Sequence, residues 1–453
     1  MKIIVAGVGK IGSTLAKQLS AEGHDLTLID NNRNSLASCT DHYDVLGICG
    51  NCCVKNILVE AGAERADLLI AVTGSDEINM LCCMIAHFIK PDIPVIARIR
   101  NPEYINQTYE MRDAFGLSMS VNPEKQTANE IAHMIKYPGF LKLDTFAKGR
   151  AEIVELKISS DSKLCNVTLS NINSVIKCKV LICVILRDGK VLMPTGDTKL
   201  LDGDRIFVTA PAENLSILLA NLGITTHKAK KVVICGGGKI SYYLADILHK
   251  SNISVTIIEQ DKDRCITLAN ALPYANIINS DASNQMNLED ENISDYNTMV
   301  ALTGMDELNI LIALYGNSFK IPQIITKLGK MSNIQINDIL PIGSTVSPKD
   351  LCCSRIVKFV RSIQYKTGAA IAVHFIADSK AEAIEFRVDE TTLNRGKPLK
   401  NIKFNKNILL CCITHNGIIE IPDGNSSFDL GDTVIIVANS DNSVNKLNDI
   451  FAG

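Results

Sequence analysis

The sequence predicts an α/β protein in which two doubly wound, parallel-sheet Rossmann-like domains are each followed by a small α+β domain. Three observations lead there. A glycine-rich strand–turn–helix block near the N-terminus returns in the second half of the chain. A different block, rich in turn dipeptides, returns at almost the same offset. Between these blocks, short apolar runs alternate with amphipathic segments, the pattern of strands joined by crossover helices.

The first block is IIVAGVGKIGSTLAKQL from Ile3, which comes back as VVICGGGKISYYLADIL from Val232. Gly7 and Gly236 stand 229 residues apart. Asp76 in LLIAVTGSDEINMLCCMIA and Asp306 in TMVALTGMDELNILIALYG stand 230 apart. The second block is VLMPTGDTKLLDGDRIFVTA from Val191, matched by IIEIPDGNSSFDLGDTVIIVA from Ile418, with Gly203 and Gly431 separated by 228. Two modules in the order A-B-A-B therefore account for nearly the whole chain. The expected domains are 1–123 and 230–348 for module A, and 140–224 and 369–453 for module B.

Each element of module A has its own signal. KIIVA reads as a short buried strand, GVGKIG as a tight turn, and STLAKQLSAEG as an amphipathic helix closed by Gly23. DLTLID is the second strand and ADLLIAVT a later one. SDEINMLCCMIAHF is a helix begun by a Ser or Asp cap, and IPVIARI and LSMSVNP are further strands. In module B, short apolar strands are separated by RDGK, PTGD, LDGD and HNG turns, with a terminal helix expected in NLSILLANLG and in VNKLNDIFAG. Segments 136–150 and 361–366 read as connecting helices or linkers.

Composition bounds the function. At 453 residues, with 46% hydrophobic and 21% charged residues, the chain is sized for roughly three or four globular domains. A formal charge of −3 gives no reason to expect nucleic acid as a partner. No apolar run approaches the roughly 20 residues that span a bilayer. The opening MKIIVAGVGKIG reads as strand and turn, not as a signal peptide. Fifteen cysteines, several in adjacent pairs, lack zinc-ligand spacing. Most lie in apolar runs such as VLICVIL, as core thiols of a reducing compartment would, and a thiol redox sensor is the alternative.

The chemistry-bearing motif is Gly7-Val8-Gly9-Lys10-Ile11-Gly12, placed between a strand and a helix. Gly7 permits the turn, Gly9 lets a diphosphate approach the backbone, and Gly12 lets the helix pack closely, while the helix N-terminus faces the phosphates. Asp30 ends the second strand, where a carboxylate can accept the ribose hydroxyls. An acid there favours NAD(H) over NADP(H); ATP and ADP are the other adenine nucleotides that fit. The second copy carries Gly236, Gly238, Lys239 and Ile240, with Ser241 replacing the third glycine and Glu259 as its ribose acid. Asp76-Glu77, after Thr73 and Gly74, and Asp306-Glu307, after Thr303 in the second copy, begin helices, and paired carboxylates of this kind could be general acid and base. The helix start favours the other reading, in which they cap the helix or touch the nucleotide's edge. Arg98 and Arg100 alternate along a strand end, so both are expected on one face, toward phosphate or an acidic partner. The eight histidines are scattered and no nucleophile or metal constellation is visible, so the chain is read as a binding protein without catalysis. The competing enzymatic reading is an NAD-dependent oxidoreductase.

GVGKIGSTLAKQL, the acid after LTLI, AGAERADLLIAVTGSDEINML and ARIRNPEY together resemble the N-terminal domain of the RCK (KTN) family. The two MPTGDTKLLDGD-type segments resemble its C-terminal domain. Two N–C pairs in one chain resemble the regulatory subunits of potassium uptake systems. The resemblance implies a homo-oligomeric ring lying in the cytoplasm, peripheral on the inner face of the membrane. There it gates an integral-membrane potassium transporter in response to an adenine nucleotide; another cation carrier is the alternative partner. Family members read Gly-Asp-Ala-Thr after the third strand. The second copy keeps Asp281 and Ala282 there, whereas the first has Asn51 and Cys52.

Overall fold

The computed structural model describes all residues except 105–114, 138–141, 147–150, 223–228, 330–339, 366–369, 378–379, 440–443, 445 and 453. The expected boundaries at 140, 224, 369 and 453 lie outside the described residues.

The first module A is a six-stranded, wholly parallel sheet in the order β3-β2-β1-β4-β5-β6. Its strands are β1 (Lys2–Ala6), β2 (Asp25–Asp30), β3 (Leu46–Cys49), β4 (Leu68–Ala71), β5 (Val95–Arg98) and β6 (Leu117–Val121). Helices α1 (Lys10–Ala21), α2 (Arg33–Thr40), α3 (Lys55–Glu60) and α4 (Asp76–Ile89) make the crossovers, and α5 (Pro123–Lys136) follows β6. All four residues of β4 are buried, as expected of a central strand with helices on both faces. The order reverses between β1 and β4. The carboxyl ends of those strands therefore open a crevice, the position at which doubly wound sheets take their ligands.

The first module B is a five-stranded antiparallel sheet in the order β10-β9-β11-β8-β7. It comprises β7 (Lys142–Phe146), β8 (Ala151–Lys157), β9 (Leu181–Arg187), β10 (Lys190–Leu192) and β11 (Arg205–Pro211), with α6 (Ile172–Ile176) and α7 (Ala212–Asn221). The RDGK turn closes the β9–β10 hairpin with Asp188 at φ 49° and Gly189 at φ 72°, a pair of positive φ values that matches strand twist.

The second copies repeat both patterns. β12 (Lys231–Cys235), β13 (Ser254–Glu259), β14 (Asn276–Asn279), β15 (Thr298–Ala301), β16 (Gln323–Lys327) and β17 (Ser344–Val346) form the sheet β14-β13-β12-β15-β16-β17. Helices α8 (Lys239–Lys250), α9 (Lys262–Ala271), α10 (Gln285–Asp290) and α11 (Asp306–Ser318) cross over, and α12 (Pro348–Tyr365) follows. Finally β18 (Ala370–Ile376), β19 (Ala381–Arg387), β20 (Ile408–His415), β21 (Ile418–Glu420) and β22 (Thr433–Asn439) pair as β18-β19-β22-β20-β21, the same order as the first module B.

The chain divides into two compact units that each combine one module type. One is Met1–Ile135 with Ala229–Val357; the other is Lys136–Lys228 with Lys358–Gly453. In the first unit, the apolar stripe Ala128, Ile131, Ala132 and Ile135 of α5 packs into the core of the second Rossmann half, with Val232, Leu244 and Leu248. In return, Cys353 of α12 donates to the carbonyl of Ile11 at 3.6 Å. Each half thus lends a helix to the other. In the second unit, Val184 and Phe207 share one core with Cys411 and Val437, so the two antiparallel sheets bury a face against each other.

Two expectations at element ends change. Segment 136–150, read as a connecting helix or linker, contains strand β7, whereas 361–365 completes α12, in keeping with the connecting helix expected there. The terminal helix expected in both B modules forms in the first as α7, but Leu447–Ile450 makes only one 3₁₀ turn. There Asp449 Oδ2 accepts from the Lys446 N–H, and Phe451 leaves in an extended bridge to Phe404. NLSILLANLG has the apolar continuity a helix needs, whereas VNKLNDIFAG is interrupted by Asn and Asp, which compete for backbone hydrogen bonds.

Candidate functional site

The loop after β1 is held by its neighbours before any ligand arrives. Gly7 has φ +97°, and a Cβ there would stand 2.8 Å from the Thr73 backbone, so the loops after β1 and β4 can meet only at glycine. A Cβ at Gly12 would lie 1.9 Å from the Gly7 carbonyl oxygen, which sets how closely α1 approaches the turn. Gly9, by contrast, has nothing within 4 Å of its Cβ direction; that space is the cleft.

Asp30 does more than present a carboxylate. Its Oδ2 accepts from the Val8 N–H at 2.6 Å and its Oδ1 from the Asn32 N–H at 2.8 Å, so it ties the glycine loop to the end of β2. Glu259 does the same in the second half, accepting from the Gly237 N–H at 2.6 Å and the Asp261 N–H at 2.9 Å. Each carboxylate keeps further lone pairs for hydroxyl donors. Ser241, in the place of Gly12, is buried and donates to the Gly236 carbonyl, turning a steric demand into a hydrogen bond.

Two residues that the motifs did not single out shape the loops after β4 and β15. Asn79, fully buried on α4, accepts through Oδ1 from the Thr73 N–H at 2.8 Å and from the Thr73 hydroxyl at 2.7 Å. Its Nδ2 donates to the Arg98 carbonyl at 2.9 Å. Asn309 repeats this with Thr303 and the Lys327 carbonyl. The available signal was an asparagine at the same register of both repeats.

Asp76 is buried and spent on structure. Its carboxylate accepts from the Arg100 and Asn101 N–H groups at 2.7 and 2.8 Å and from Arg100 Nε at 3.0 Å. Arg100 Nη2 also donates to the Gly74 carbonyl. Glu77 accepts from the Ser75 hydroxyl at 2.5 Å and the Tyr104 hydroxyl at 2.9 Å, and the serine bond leads in holding its carboxyl below the usual range. Asp306 accepts from the Gly329 N–H at 2.9 Å.

These elements enclose a cavity of about 920 Å³ that the two Rossmann halves share. The first half contributes Gly7, Gly9, Lys10, Ile11, Asp30, Thr73, Gly74 and Arg98. From the second come Gly238, Lys239, Ile240, Asp306 and Lys327. Asp76, Glu77, Arg100, Glu259, Asp281, Ala282 and Thr303 are not on its wall, nor are Val8, Gly12 and Gly236, whose roles lie within the loops. The two strand-end arginines therefore part company: Arg98 faces the cavity and Arg100 clamps the loop behind it.

Five basic side chains, Lys10, Arg98, Lys239, Lys327 and Lys349, line this cavity against the acids Asp30, Glu124 and Asp306. Glu124 Oε1 stands 3.6 Å from Arg98 Nη2, and the buried Arg98 Nε meets no acceptor among the described residues. Burial holds the Lys327 ammonium below its usual pKa, Asp306 opposes that, and Lys10 adds to it. Excess positive charge at the paired helix starts of α1 and α8 suits a polyanionic ligand. At the turn after β3, Asn51 Oδ1 accepts the Cys53 N–H at 2.9 Å, as Asp281 Oδ1 accepts the Ser283 N–H at 2.8 Å. The exchange of Asp for Asn thus keeps the turn and removes a negative charge from the cavity's rim.

The family model for the TrkA-N domain matches residues 3–123 and 232–348, and that for the TrkA-C domain matches 153–223. The chain belongs to the TrkA family. The Trk system potassium uptake protein TrkA homolog 1 of Methanosarcina mazei is 30% identical over 445 residues, covering 96% of this chain and 97% of that protein. The TrkA homolog of Archaeoglobus fulgidus is 29% identical and both chains are covered completely. Among solved structures, the GsuK channel bound to NAD superposes with a TM-score of 0.63 at 16% identity, covering 97% of this chain and 77% of that one. This last likeness is one of fold. The TrkA-N matches fall on the two Rossmann halves that share the cavity, so the family's paired N-domains are the elements that build the site.

Proposed function

We propose that this chain is the nucleotide-sensing regulatory subunit of a membrane potassium uptake transporter, acting as a cytosolic ring rather than as an enzyme. One observation carries the reading: a single cavity runs from the first half's Gly9 and Asp30 to the second half's Lys239 and Lys327. A nucleotide whose ribose hydroxyls meet Asp30 lies with its phosphates over α1, toward cations of the other half. Ligands with different numbers of phosphates then favour different separations of the halves. Such differential affinity is what a ligand needs to shift a conformational equilibrium. NAD(H) is the favoured ligand, in keeping with an acid at the ribose position and with the NAD-bound state of the GsuK channel; ATP and ADP are the other candidates. The relatives' names, potassium uptake proteins, support this choice of partner. The reading places the ion path in a separate integral-membrane subunit; no described helix here is long and apolar enough to cross a membrane.

Calorimetric titration of the purified chain with NADH, NAD⁺, ATP and ADP tests this. Micromolar binding of at least one is expected, weakened at least about tenfold by Asp30→Ala, which removes a charged acceptor of the ribose. No binding to any of the four, or an unchanged affinity in Asp30→Ala, would remove the first half as a sensor. The two arginines give a sharper test of the cavity's wall. Arg98→Ala is expected to cost about tenfold in affinity with little change in melting temperature, since its ion pair with Glu124 is long at 3.6 Å. Arg100→Ala is expected to do the reverse, lowering stability by about 1–3 kcal/mol because Asp76 and Gly74 lose their donor. A melting drop confined to Arg98→Ala would place the guanidiniums the other way round.

A further inference from the structure

Four cysteines gather at one corner of the first Rossmann half, and the cavity reaches one of them. Cys52 lies on the cavity wall, in the turn after β3. Cys82 and Cys83, fully buried on α4, share a core with it, and Cys53 packs against that core. Cys53 and Cys83 are engaged with backbone, donating to the carbonyls of Ile78 and Ile96, each at 3.6 Å. Cys82, in that same core, is the group that acts most strongly on the Cys52 thiol. At the matching register the second half has Ala282, Ser283, Ile312 and Ala313, so the fold itself needs no thiol here.

We propose that Cys52 is a thiol modification site opening on the nucleotide cleft, with Cys82 as the second thiol of a disulfide formed when a peroxide oxidises it. The Cys52 thiolate attacks one peroxide oxygen, the O–O bond breaks, and the departing oxygen leaves as water or alcohol once protonated. This yields a sulfenic acid. Cys82 sulfur then attacks the Cys52 sulfur, the S–O bond breaks, and water leaves with the Cys82 proton. Two thiols are oxidised and one peroxide is reduced. The environment favours this order of attack. The Cys82 thiol leads in holding the Cys52 thiol below its ordinary pKa despite burial, whereas burial pushes Cys53 up to about 11. Access to Cys52 is through the cavity, so a bound nucleotide shields it; this last point alone rests on the proposed function.

The test uses the full chain. Reduced protein is exposed to hydrogen peroxide with and without saturating NADH or ATP, remaining thiols are alkylated, and peptides are mapped by fragmentation mass spectrometry. A Cys52–Cys82 linkage is expected, lost in Cys52→Ala and reversed by dithiothreitol. In unoxidised protein, Cys52 is expected to alkylate at least about tenfold faster than Cys235, a core thiol that burial pushes up to about 12. Nucleotide should slow both reactions by a similar factor. A linkage through Cys53, no linkage, or a Cys52 rate no higher than that of Cys235 would overturn the proposal. So would an unchanged rate under a nucleotide that calorimetry shows to be bound. If calorimetry shows no binding, the sensor reading fails, and the nucleotide-free rates still decide the thiol site.

Discussion

Gly9→Val and Gly12→Val should separate ligand binding from folding, although the two glycines belong to one motif. At Gly9 the backbone has φ −73° and the Cβ direction is empty, so valine is accommodated in the free protein and its methyls occupy the cleft. Nucleotide affinity is expected to fall about a hundredfold, roughly 2.7 kcal/mol, with the melting temperature nearly unchanged. At Gly12 the new Cβ would sit 1.9 Å from the Gly7 carbonyl oxygen and 2.9 Å from its carbon, both backbone atoms. Relief requires moving α1 away from the sheet, and about 3 kcal/mol of stability is expected to be lost, as in other overpacked sites. The second half shows what such relief involves: Ser241 is accepted there with its hydroxyl bonded to the Gly236 carbonyl, a partner valine does not offer. Calorimetry and thermal melts of both variants check the pair. Equal melting losses, or binding retained in Gly9→Val, would count against a cleft at that glycine.

Arg187→Leu is expected to be among the most damaging single changes in the second unit. Asp204 is fully buried, and Arg187 grips both of its oxygens, through Nε at 2.7 Å and Nη2 at 2.8 Å, while the Leu201 N–H adds a bond at 2.8 Å. Removing one partner of a buried pair leaves an uncompensated charge, at a cost of about 3–5 kcal/mol. Burial raises the Asp204 carboxyl, but Arg187 and the Leu201 N–H outweigh it and hold the pKa below the usual carboxylate range. A depressed folded-state pKa contributes stability above the unfolded value of about 4, and that contribution is lost as pH falls through the folded value. The deficit of Arg187→Leu should therefore be largest near neutral pH and shrink in acid. Denaturant titrations at pH 7 and at about pH 2 measure this; an equal deficit at both would assign the effect to lost packing. At the equivalent place the second module B has His415, with Nδ1 2.8 Å from Asp432 and Nε2 3.5 Å from Glu420. Arg187→His is accordingly expected to be the milder change.

The sequence by itself determined the repeat, the alternation of strand and helix, and both glycine loops, because these rest on short-range rules. A glycine at positive φ, an acid at a strand end and a period of 2 or 3.6 act within a few residues of themselves. The hairpins at Asp188-Gly189 and Asn416-Gly417 were legible for the same reason. Tertiary structure alone decided which motif residues reach the ligand. Arg98 and Arg100 carry the same charge two positions apart, and only the buried Asp76 beside one of them distinguishes a wall residue from a clamp. Asn79 looked like an ordinary helix residue until the fold set it between Thr73 and the Arg98 carbonyl. The exchange of α5 and α12 between the halves also lay beyond the sequence pattern. An apolar stripe such as Ala128, Ile131, Ala132 and Ile135 states that a face must be buried, not against what. That choice of partner joins the two halves around one cavity, and it depends on the surfaces of both.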